Sequence, residues 1–468
     1  MADEVQVTGS PGETTEADKP SQFGLTAAIA LIVGSIIGVG IFNLPSSLAA
    51  YGPITLISMA LTTVGALALA LLFAALSRRL PADGGPYAYA RVAFGNRLGF
   101  MNAWSYWITA WAGNAAIAVG WVLYVEHFIN KDQNKLYSIV LVLIGLWLPA
   151  AVNLSGVKNI GSVQVITTII KFAVLAFMSI VGLFFISKAN FTPWNVSGEN
   201  PLNAIGGGMA IALFSYLGVE TASVAAGKVS NPDRNIPRST VLGTIACAVV
   251  YMLSLTVVFG IVPTSKLATA NAPFSDAANA IFGGTWAGNV LAVAVIISGL
   301  GALNGWTMIC AEMPLAAAND GLFPKRFKRI SKNGVPAFGI IASTVLASIA
   351  MIINYLGAGG ATVFTTLVLM TGITSAIPYG FSALAQMKWR WIDHRSTQTP
   401  RFIRDTVIAV ISLVFSILFI WYSRNTGHST WEVWAPFFLA AAALLLGIPV
   451  YLAQRNHLTE PGQVPPYR

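Results

Sequence analysis

The chain has 468 residues, of which 55% are hydrophobic and only 10% are charged, and its formal net charge is +9. Soluble domains carry about 25% charged residues, so this composition excludes an ordinary soluble enzyme or binding domain and indicates a polytopic membrane protein. Both cysteines, Cys247 and Cys310, fall within apolar runs, and the sequence contains neither a disulfide framework nor a metal-ligand spacing. We therefore expect no cofactor and no metal site.

The N-terminal segment, residues 1–22, contains five carboxylates and one lysine but no apolar stretch. Such a composition is typical of a disordered cytoplasmic tail and not of a signal peptide. Twelve apolar runs that are long enough to span a bilayer follow it. They cover residues 23–50, 54–77, 99–128, 136–154, 159–186, 202–227, 237–262, 285–318, 335–355, 361–387, 403–423 and 431–454. The predicted fold class is an all-α membrane protein with twelve transmembrane helices.

The basic residues between the runs predict the orientation. With the N-terminus inside the cell, 21 of the 27 lysines and arginines fall in cytoplasmic segments, five fall outside, and Lys171 lies within a span. This bias predicts that both termini are cytoplasmic and that the protein is a multi-pass protein of the cytoplasmic membrane. It also accounts for the net positive charge through topology and anionic lipid, so we expect no nucleic-acid partner.

The first apolar run contains three glycines in seven residues, in the stretch Gly34-Ser-Ile-Ile-Gly38-Val-Gly40. Glycine costs about 1 kcal/mol relative to alanine within a helix, so this stretch predicts a break in the first helix. A broken helix is tolerated in lipid where its free backbone lines a cavity, and the ends of its two halves suit a carboxylate and an ammonium group. The alternative is that Gly34 and Gly38 form a packing face of small residues.

The sixth run repeats this pattern. Gly206-Gly-Gly208 opens it, and Ser215-Tyr-Leu-Gly218-Val-Glu220 interrupts it. Two interrupted segments that lie five spans apart predict a transporter built from inverted repeats, with helices 1 and 6 discontinuous. The predicted units are a first repeat at 23–187, a second repeat at 202–387, two appended helices at 403–454 and a cytoplasmic tail at 455–468.

Three ionisable acid or amine groups fall well inside the spans, where a charge costs at least about 2.5 kcal/mol. Lys171 is too central to reach either surface, and it either takes up and releases a proton during transport or donates to carbonyl groups of the first and eighth helices. Glu220 lies at the second break, where it either faces a cationic substrate and gates the site or caps a half-helix. Glu312 fits a cytoplasmic gate or a packing role better than a substrate contact.

Five motifs resemble one family. They are GSIIGVGIFNLP at 34–45, GGPYAYAR at 84–91, GVETAS at 218–223, NPDRNIPRS at 231–239 and NDGLFP at 319–324. Together they resemble the amino acid–polyamine–organocation superfamily, and its basic amino acid/polyamine antiporter branch in particular. The resemblance implies a fold of five plus five helices in an inverted repeat, and transport by alternating access.

The resemblance also implies a set of substrate-binding residues. The amides around Val39 and Gly40 would hold the substrate carboxylate, and the carbonyls of Ile36, Phe214 and Leu217 would hold its α-ammonium. The side chain of the substrate would meet residues of three other helices, and two residues would act in gating. The side-chain contacts would be Trp306, Asn114, Thr371 and Ser375, and the gating residues Tyr106 and Glu220. A packing role for Trp306 and an interhelical hydrogen bond for Asn114 are the alternatives.

Two positions depart from the pattern of this branch, and one residue is added. Phe214 stands where a tryptophan would stack on a guanidinium, and Val39 replaces a serine. Both changes weaken the expectation of arginine as the substrate but leave the backbone recognition of an α-amino acid. Lys171 is similar to a fifth-helix lysine of proton-coupled relatives, in the region where sodium-coupled relatives bind sodium. It favours proton coupling over sodium coupling.

The leading hypothesis is a secondary transporter of cationic amino acids or polyamines, independent of sodium and linked to protons. A strict exchanger of an amino acid for its decarboxylation product is the alternative mechanism, and a non-transporting amino acid sensor is an alternative of another class. Enzyme motifs such as HExxH and GxSxG are absent, so we expect no enzyme. The sequence leaves the oligomeric state open, with a homodimer among the alternatives.

Overall fold

The computed structural model describes residues 24–132, 134–156, 160–224, 226–392, 400–424 and 430–458. The predicted tail at 1–22 and residues 459–468 of the second tail lie outside this range. The regular elements of the described residues are helices. Those of the first half are α1 (Leu25–Ile36), α2 (Gly40–Leu48), α3 (Thr55–Arg79), α4 (Pro86–Phe94), α5 (Asn96–Ile129), α6 (Lys135–Leu154) and α7 (Ile160–Gly182).

The second half follows the same plan, with a broken helix at its start. Its elements are α8 (Pro201–Ala212), α9 (Thr221–Val224), α10 (Pro232–Ile261), α11 (Thr264–Leu267), α12 (Pro273–Phe282), α13 (Trp286–Asn319), α14 (Ala337–Gly357), α15 (Gly360–Ile392), α16 (Pro400–Tyr422), α17 (Thr430–Leu445) and α18 (Gly447–Gln454). Several helices start at a proline, which has no N–H to leave unpaired in a first turn: Pro86, Pro201, Pro232 and Pro273.

Eleven helices of the described residues are long and apolar enough to cross a membrane, counting α1 with α2 as one and α17 with α18 as one. The remaining predicted span is the sixth, at 202–227. It is divided between α8, a 3₁₀ turn at Leu213–Tyr216 and the short α9, so no single piece reaches the length of a span. With this broken helix included, the twelve predicted spans are all accounted for.

The helix α5 forms the centre of the bundle. Its most apolar window is 94% buried inside the protein, whereas that of α16 is only 33% buried. Small residues along α5 let its neighbours approach closely, among them Gly113, Ala115, Ala116 and Ala118. Large apolar side chains on the outer helices are exposed, as expected for surfaces that face lipid, for example Ile166, Ile169 and Ile180 on α7.

The first break is shorter than the glycine pattern predicted. Gly34 lies inside α1, and only residues 37–39 separate α1 from α2. A Cβ atom on Gly34 would collide with the side chains of Gln164 and Thr168 on α7. The absence of a side chain at Gly34 therefore serves close packing, as the alternative interpretation had it, and the helix unwinds only from Ile37 onward.

Candidate functional site

The first break leaves backbone groups exposed inside the bundle. The chain leaves the helical path after Ile36, and Gly38 N donates to Ile36 O over 2.8 Å in a tight turn. The helix then restarts at Gly40, with Val39 as its N-cap. The first amides of a helix have no acceptor within that helix, so the start of α2 presents N–H groups and the positive end of a helix dipole.

The second break approaches the first one backbone to backbone. Gly218 adopts a φ angle of +108°, which favours glycine, and a Cβ atom there would come within 2.9 Å of the Ser35 carbonyl carbon. A side chain at this position would force the two broken helices apart. Gly218 therefore allows the segment Leu213–Glu220 to lie directly against the end of α1.

A small cavity lies between the two breaks. The volume available to solvent is about 10 Å³, roughly one water molecule, so the site is closed around its backbone groups. The ring of Phe214 lies across Gly40: a Cβ atom on Gly40 would be 2.7 Å from two ring carbons. The lining residues are Ser35, Ile36, Gly38, Gly40, Gly113, Ile117, Phe214, Ser215, Leu217 and Trp306.

Five of the nine predicted substrate-binding residues line this cavity: Ile36, Gly40, Phe214, Leu217 and Trp306. Trp306 is buried, and its indole Nε1 donates to Ser35 O over 3.2 Å. This bond holds the tryptophan from α13 against the last turn of α1. It orients the ring at the edge of the cavity, where a substrate side chain would pass.

The other four predicted residues, Val39, Asn114, Thr371 and Ser375, are buried nearby but do not line the cavity. Asn114 Nδ2 donates to Thr307 Oγ1 over 3.2 Å, which is the interhelical bond of the alternative interpretation. Its Oδ1 atom is buried and has no hydrogen-bond partner among the described residues. The hydroxyls of Thr371 and Ser375 donate to carbonyls of their own helix.

The carbonyl of Ile36 is already engaged. Tyr251 on α10 donates its hydroxyl to Ile36 O over 2.8 Å, in addition to the bond from Gly38 N. A carbonyl oxygen has two lone pairs, so these two donors occupy both. Tyr251 was not predicted as a site residue, and no periodicity in its span distinguishes it. Its hydroxyl occupies the carbonyl to which the resemblance assigned a substrate ammonium.

Glu220 is fully buried at the second break, and both of its oxygens accept from tyrosines of other helices. Tyr106 on α5 donates to Oε1 and Tyr379 on α15 donates to Oε2, each over 2.7 Å. The prediction joined Tyr106 with Glu220 but missed Tyr379. Helical periodicity could have found it, because Thr371, Ser375 and Tyr379 follow one another at intervals of four on α15.

Lys171 projects from α7 towards the first break. Its Nζ donates to Gly34 O over 2.9 Å, and its side chain is 1% exposed. It has no ion-pair partner in the part of the chain that the structure describes. The lysine therefore contacts the first helix, as its packing interpretation required. Among the described residues, no hydrogen bond joins it to the eighth span, α13.

Charged contacts join two of the family-like motifs at the predicted cytoplasmic side. Asp320 accepts from Tyr87 over 2.5 Å and pairs with Arg91 over 2.9 Å, so the motifs at 84–91 and 319–324 meet. Burial and the Asp320 carboxylate raise the pKa of Tyr87. Glu312 pairs with Lys228 over 2.5 Å, which places it among these closing contacts and away from the cavity.

The described residues contain no group of three or more histidine, cysteine, aspartate or glutamate residues that could hold a metal ion. The residues that line the cavity offer backbone dipoles, aromatic faces and a serine hydroxyl. Such a set of groups can bind and release a small zwitterion.

Comparison with known proteins shows the family. Residues 23–447 match the family model of the amino acid permeases. The chain is similar to a cadaverine/lysine antiporter of Escherichia coli, with 28% identity over 91% of this chain and 94% of the relative. It is also similar to an arginine/ornithine antiporter of Pseudomonas aeruginosa, with 30% identity over 84% of each chain.

A putrescine transporter of Escherichia coli is 31% identical over 78% of this chain and 83% of the relative. Among solved structures, a manganese transporter of Eremococcus coleocola superposes with a TM-score of 0.60, covering 96% of both chains at 13% identity. At this identity the likeness concerns the fold alone.

Proposed function

The chain belongs to the amino acid permease family, whose members are membrane transporters and not enzymes, and from this premise we propose that it exchanges cationic amino acids and their polyamine products across the cytoplasmic membrane. The relatives named for lysine, cadaverine, arginine, ornithine and putrescine support this substrate class. Alternating access between the two sides of the membrane is the mechanism. The observation that carries the proposal is the contact of two broken helices around one small cavity.

The backbone recognises the α-amino acid group. The amides at Val39 and Gly40 bind the carboxylate at the positive end of α2, where a negative charge is stabilised. The α-ammonium binds the carbonyls of Leu217 and Phe214, and it gains Ile36 O only when the Tyr251 hydroxyl moves away. A product without a carboxylate cannot make the contacts with the amides at Val39 and Gly40, so it binds more weakly and leaves more readily.

The distal part of the substrate extends towards α5 and α13. Trp306 packs on its aliphatic carbons, and the unpaired Oδ1 atom of Asn114 accepts a hydrogen bond from its cationic end. Reaching Asn114 requires Phe214 to swing off Gly40, because its ring closes the cavity. Phe214 thus acts as a lid whose rotation accompanies binding.

Glu220 gates the site. Its carboxylate joins α5 and α15 through two tyrosine hydroxyls, so the two helices stay together while those bonds persist. A cationic substrate attracts the same carboxylate and competes with the tyrosines. Binding of the substrate then loosens the contact between these helices and allows the site to open to the other side.

Lys171 links exchange to protons. Among the described residues, a charged ammonium group in this buried position has one carbonyl acceptor, so its charge is poorly stabilised and its proton can pass to water during a conformational change. The ammonium group of Lys171 places a positive charge beside Gly34. This charge supports transport that does not depend on sodium. We also propose that both termini are cytoplasmic. A homodimer is the alternative assembly.

Flux measurements in proteoliposomes test the proposal. Liposomes are loaded with lysine, with cadaverine or with buffer, and uptake of labelled lysine is measured with and without a pH gradient. We expect rapid uptake only into lysine- or cadaverine-loaded liposomes, increased by the gradient. Binding of lysine without any flux would contradict transport and favour a sensor, and gradient-driven uptake into empty liposomes would contradict exchange.

The variant Lys171→Met tests the proton link separately. We expect it to lose the effect of the pH gradient while retaining lysine-for-lysine exchange. The matched control is Lys188→Met, which removes an exposed lysine outside the spans. An unchanged gradient effect in Lys171→Met would remove the proton link and leave exchange intact.

A further inference from the structure

A groove of about 750 Å³ lies on the outside of the bundle, well away from the substrate cavity. It runs between the start of α1, the end of α3 and the starts of α10 and α16. Leu25, Leu71, Leu242 and Ile408 contribute to its walls. Leu71 is 43% exposed and Leu242 is 52% exposed, so the groove opens towards the surroundings of the protein, where lipid lies.

The groove is polar at one end and apolar along its length. On α3, the lining residues Leu71, Ala74, Ala75 and Arg78 lie on one helix face at positions i, i+3, i+4 and i+7. The arginine is nearest the helix end, about 10 Å from the leucine along the axis. On α10, Arg238 lies nearer the start of the helix than Leu242 does, so the arginine is again the residue closer to the helix end.

The charged lining is mostly positive. Its arginines are Arg78, Arg238 and Arg404, and its one acidic residue is Asp405. Asp405 is buried and already pairs with Arg390 and with Arg404. Arg78 and Arg238 are exposed and have no ion-pair partner in the part of the chain that the structure describes. The open end of the groove therefore offers two guanidinium groups to an anion.

We propose that this groove binds an anionic phospholipid. The acyl chain lies along the apolar wall, and the phosphate binds Arg78 and Arg238, which match its geometry as fork-shaped donors. A soluble phosphate would contact the arginines and leave the apolar wall uncovered. The acidic segment before Leu25 has the right charge, but residues 1–22 contain too few large apolar side chains to cover the wall.

Native mass spectrometry of the full-length protein tests this proposal. The purified protein is incubated with equal amounts of phosphatidylglycerol and phosphatidylcholine, and the retained lipid is counted. We expect phosphatidylglycerol to be retained about tenfold more than phosphatidylcholine. The double variant R78Q/R238Q removes both free guanidinium groups, and we expect it to lose this preference.

Two further variants separate the groove from general surface attraction. The control R326Q/R329Q removes two exposed arginines from the same side of the protein, and we expect it to keep the preference. A75W fills the apolar wall without changing the charge, and we expect it to lose phosphatidylglycerol. An equal loss in R326Q/R329Q, or full retention by A75W, would overturn the proposal.

Inorganic phosphate alone provides the last arm of the experiment. We expect millimolar phosphate to leave the retained phosphatidylglycerol unchanged, because it lacks the acyl chain. Displacement of the lipid by phosphate would show a soluble-anion site and would overturn the assignment to lipid. None of these outcomes depends on transport activity, so they stand apart from the proposed function.

Discussion

The two broken helices meet at one cavity but are built differently. The first break consists of backbone alone, with Lys171 approaching from α7 and Tyr251 approaching from α10. The second break carries its own charge, Glu220, which two tyrosines hold between α5 and α15. Both breaks therefore present backbone groups to a ligand, and the second break also ties the surrounding helices together.

This difference separates recognition from movement. Changes at Gly40 on the first break should alter which groups are bound, because the proposed carboxylate site lies there. Changes of Glu220 at the second break should alter how readily the helices part, because Glu220 bonds to two helices and does not line the cavity. Binding and flux measured on the same variants distinguish these two effects.

The largest effect is expected at Gly40. In Gly40→Ala, the added methyl group would lie 2.7 Å from the Phe214 ring, and overpacking of this kind costs about 1–3 kcal/mol. Because Phe214 leaves Gly40 when lysine binds, this strain acts on the ligand-free protein, and we expect its free energy of unfolding, measured by denaturation, to fall by about 1–3 kcal/mol. The matched control is Gly38→Ala, whose methyl group would be 3.7 Å from Ile117 and is tolerated. Equal losses in both variants would contradict a closed contact between Phe214 and the first break.

The next effect is expected at Glu220. Glu220→Gln removes the negative charge that attracts a cationic substrate, and it weakens two hydrogen bonds that are each worth about 1.5–3 kcal/mol when the acceptor is charged. We expect exchange of lysine to slow by about tenfold or more, with a smaller loss for a neutral amino acid. Tyr379→Phe removes one of the two bonds but keeps the charge, so we expect it to preserve the difference between cationic and neutral substrates. Equal slowing of cationic and neutral substrates would argue against recognition of charge by the second break.

A smaller effect of opposite sign is expected at Tyr251. Tyr251→Phe removes the hydroxyl that occupies Ile36 O and leaves the carbonyl available to an α-ammonium group. We expect lysine to bind about threefold more tightly, while the loss of one hydrogen bond lowers stability by about 1 kcal/mol. Weaker binding would show that the tyrosine supports the break and does not compete with the ligand.

The smallest effect is expected away from both breaks, at Asp320. Asp320→Asn weakens its contacts with Arg91 and Tyr87 at a partly exposed position. Exposed ion pairs contribute about 1 kcal/mol or less, so we expect the Tm to fall by about 2 °C or less and lysine affinity to stay unchanged. A tenfold loss of lysine affinity would make this contact part of the binding site.

Much of the fold could be predicted because apolar runs and glycine density are local properties. The twelve spans and the positions of both breaks follow from them. Gly34 shows the limit of this reasoning: a glycine in a helix signals either a break or close packing, and only the nearness of Gln164 and Thr168 decides between them.

Side-chain partners between distant spans were harder to predict. The pairs Lys228–Glu312 and Tyr251–Ile36 join segments that no local pattern relates. The position of Asn114 outside the cavity depends on the rotation of α5 about its axis, which is set by the packing of its neighbours. Tyr379 is the exception, because its spacing from Thr371 and Ser375 was visible in the sequence.

The central claim is that the backbone of the two broken helices binds both ends of the α-amino acid group. Calorimetry with L-lysine, its methyl ester and its Nα-acetyl derivative tests it most directly, since each derivative blocks one end and keeps the side chain. We predict that each derivative binds about tenfold or more weakly than lysine, because a buried charged partner is lost. Equal affinity of lysine and either derivative would contradict the claim.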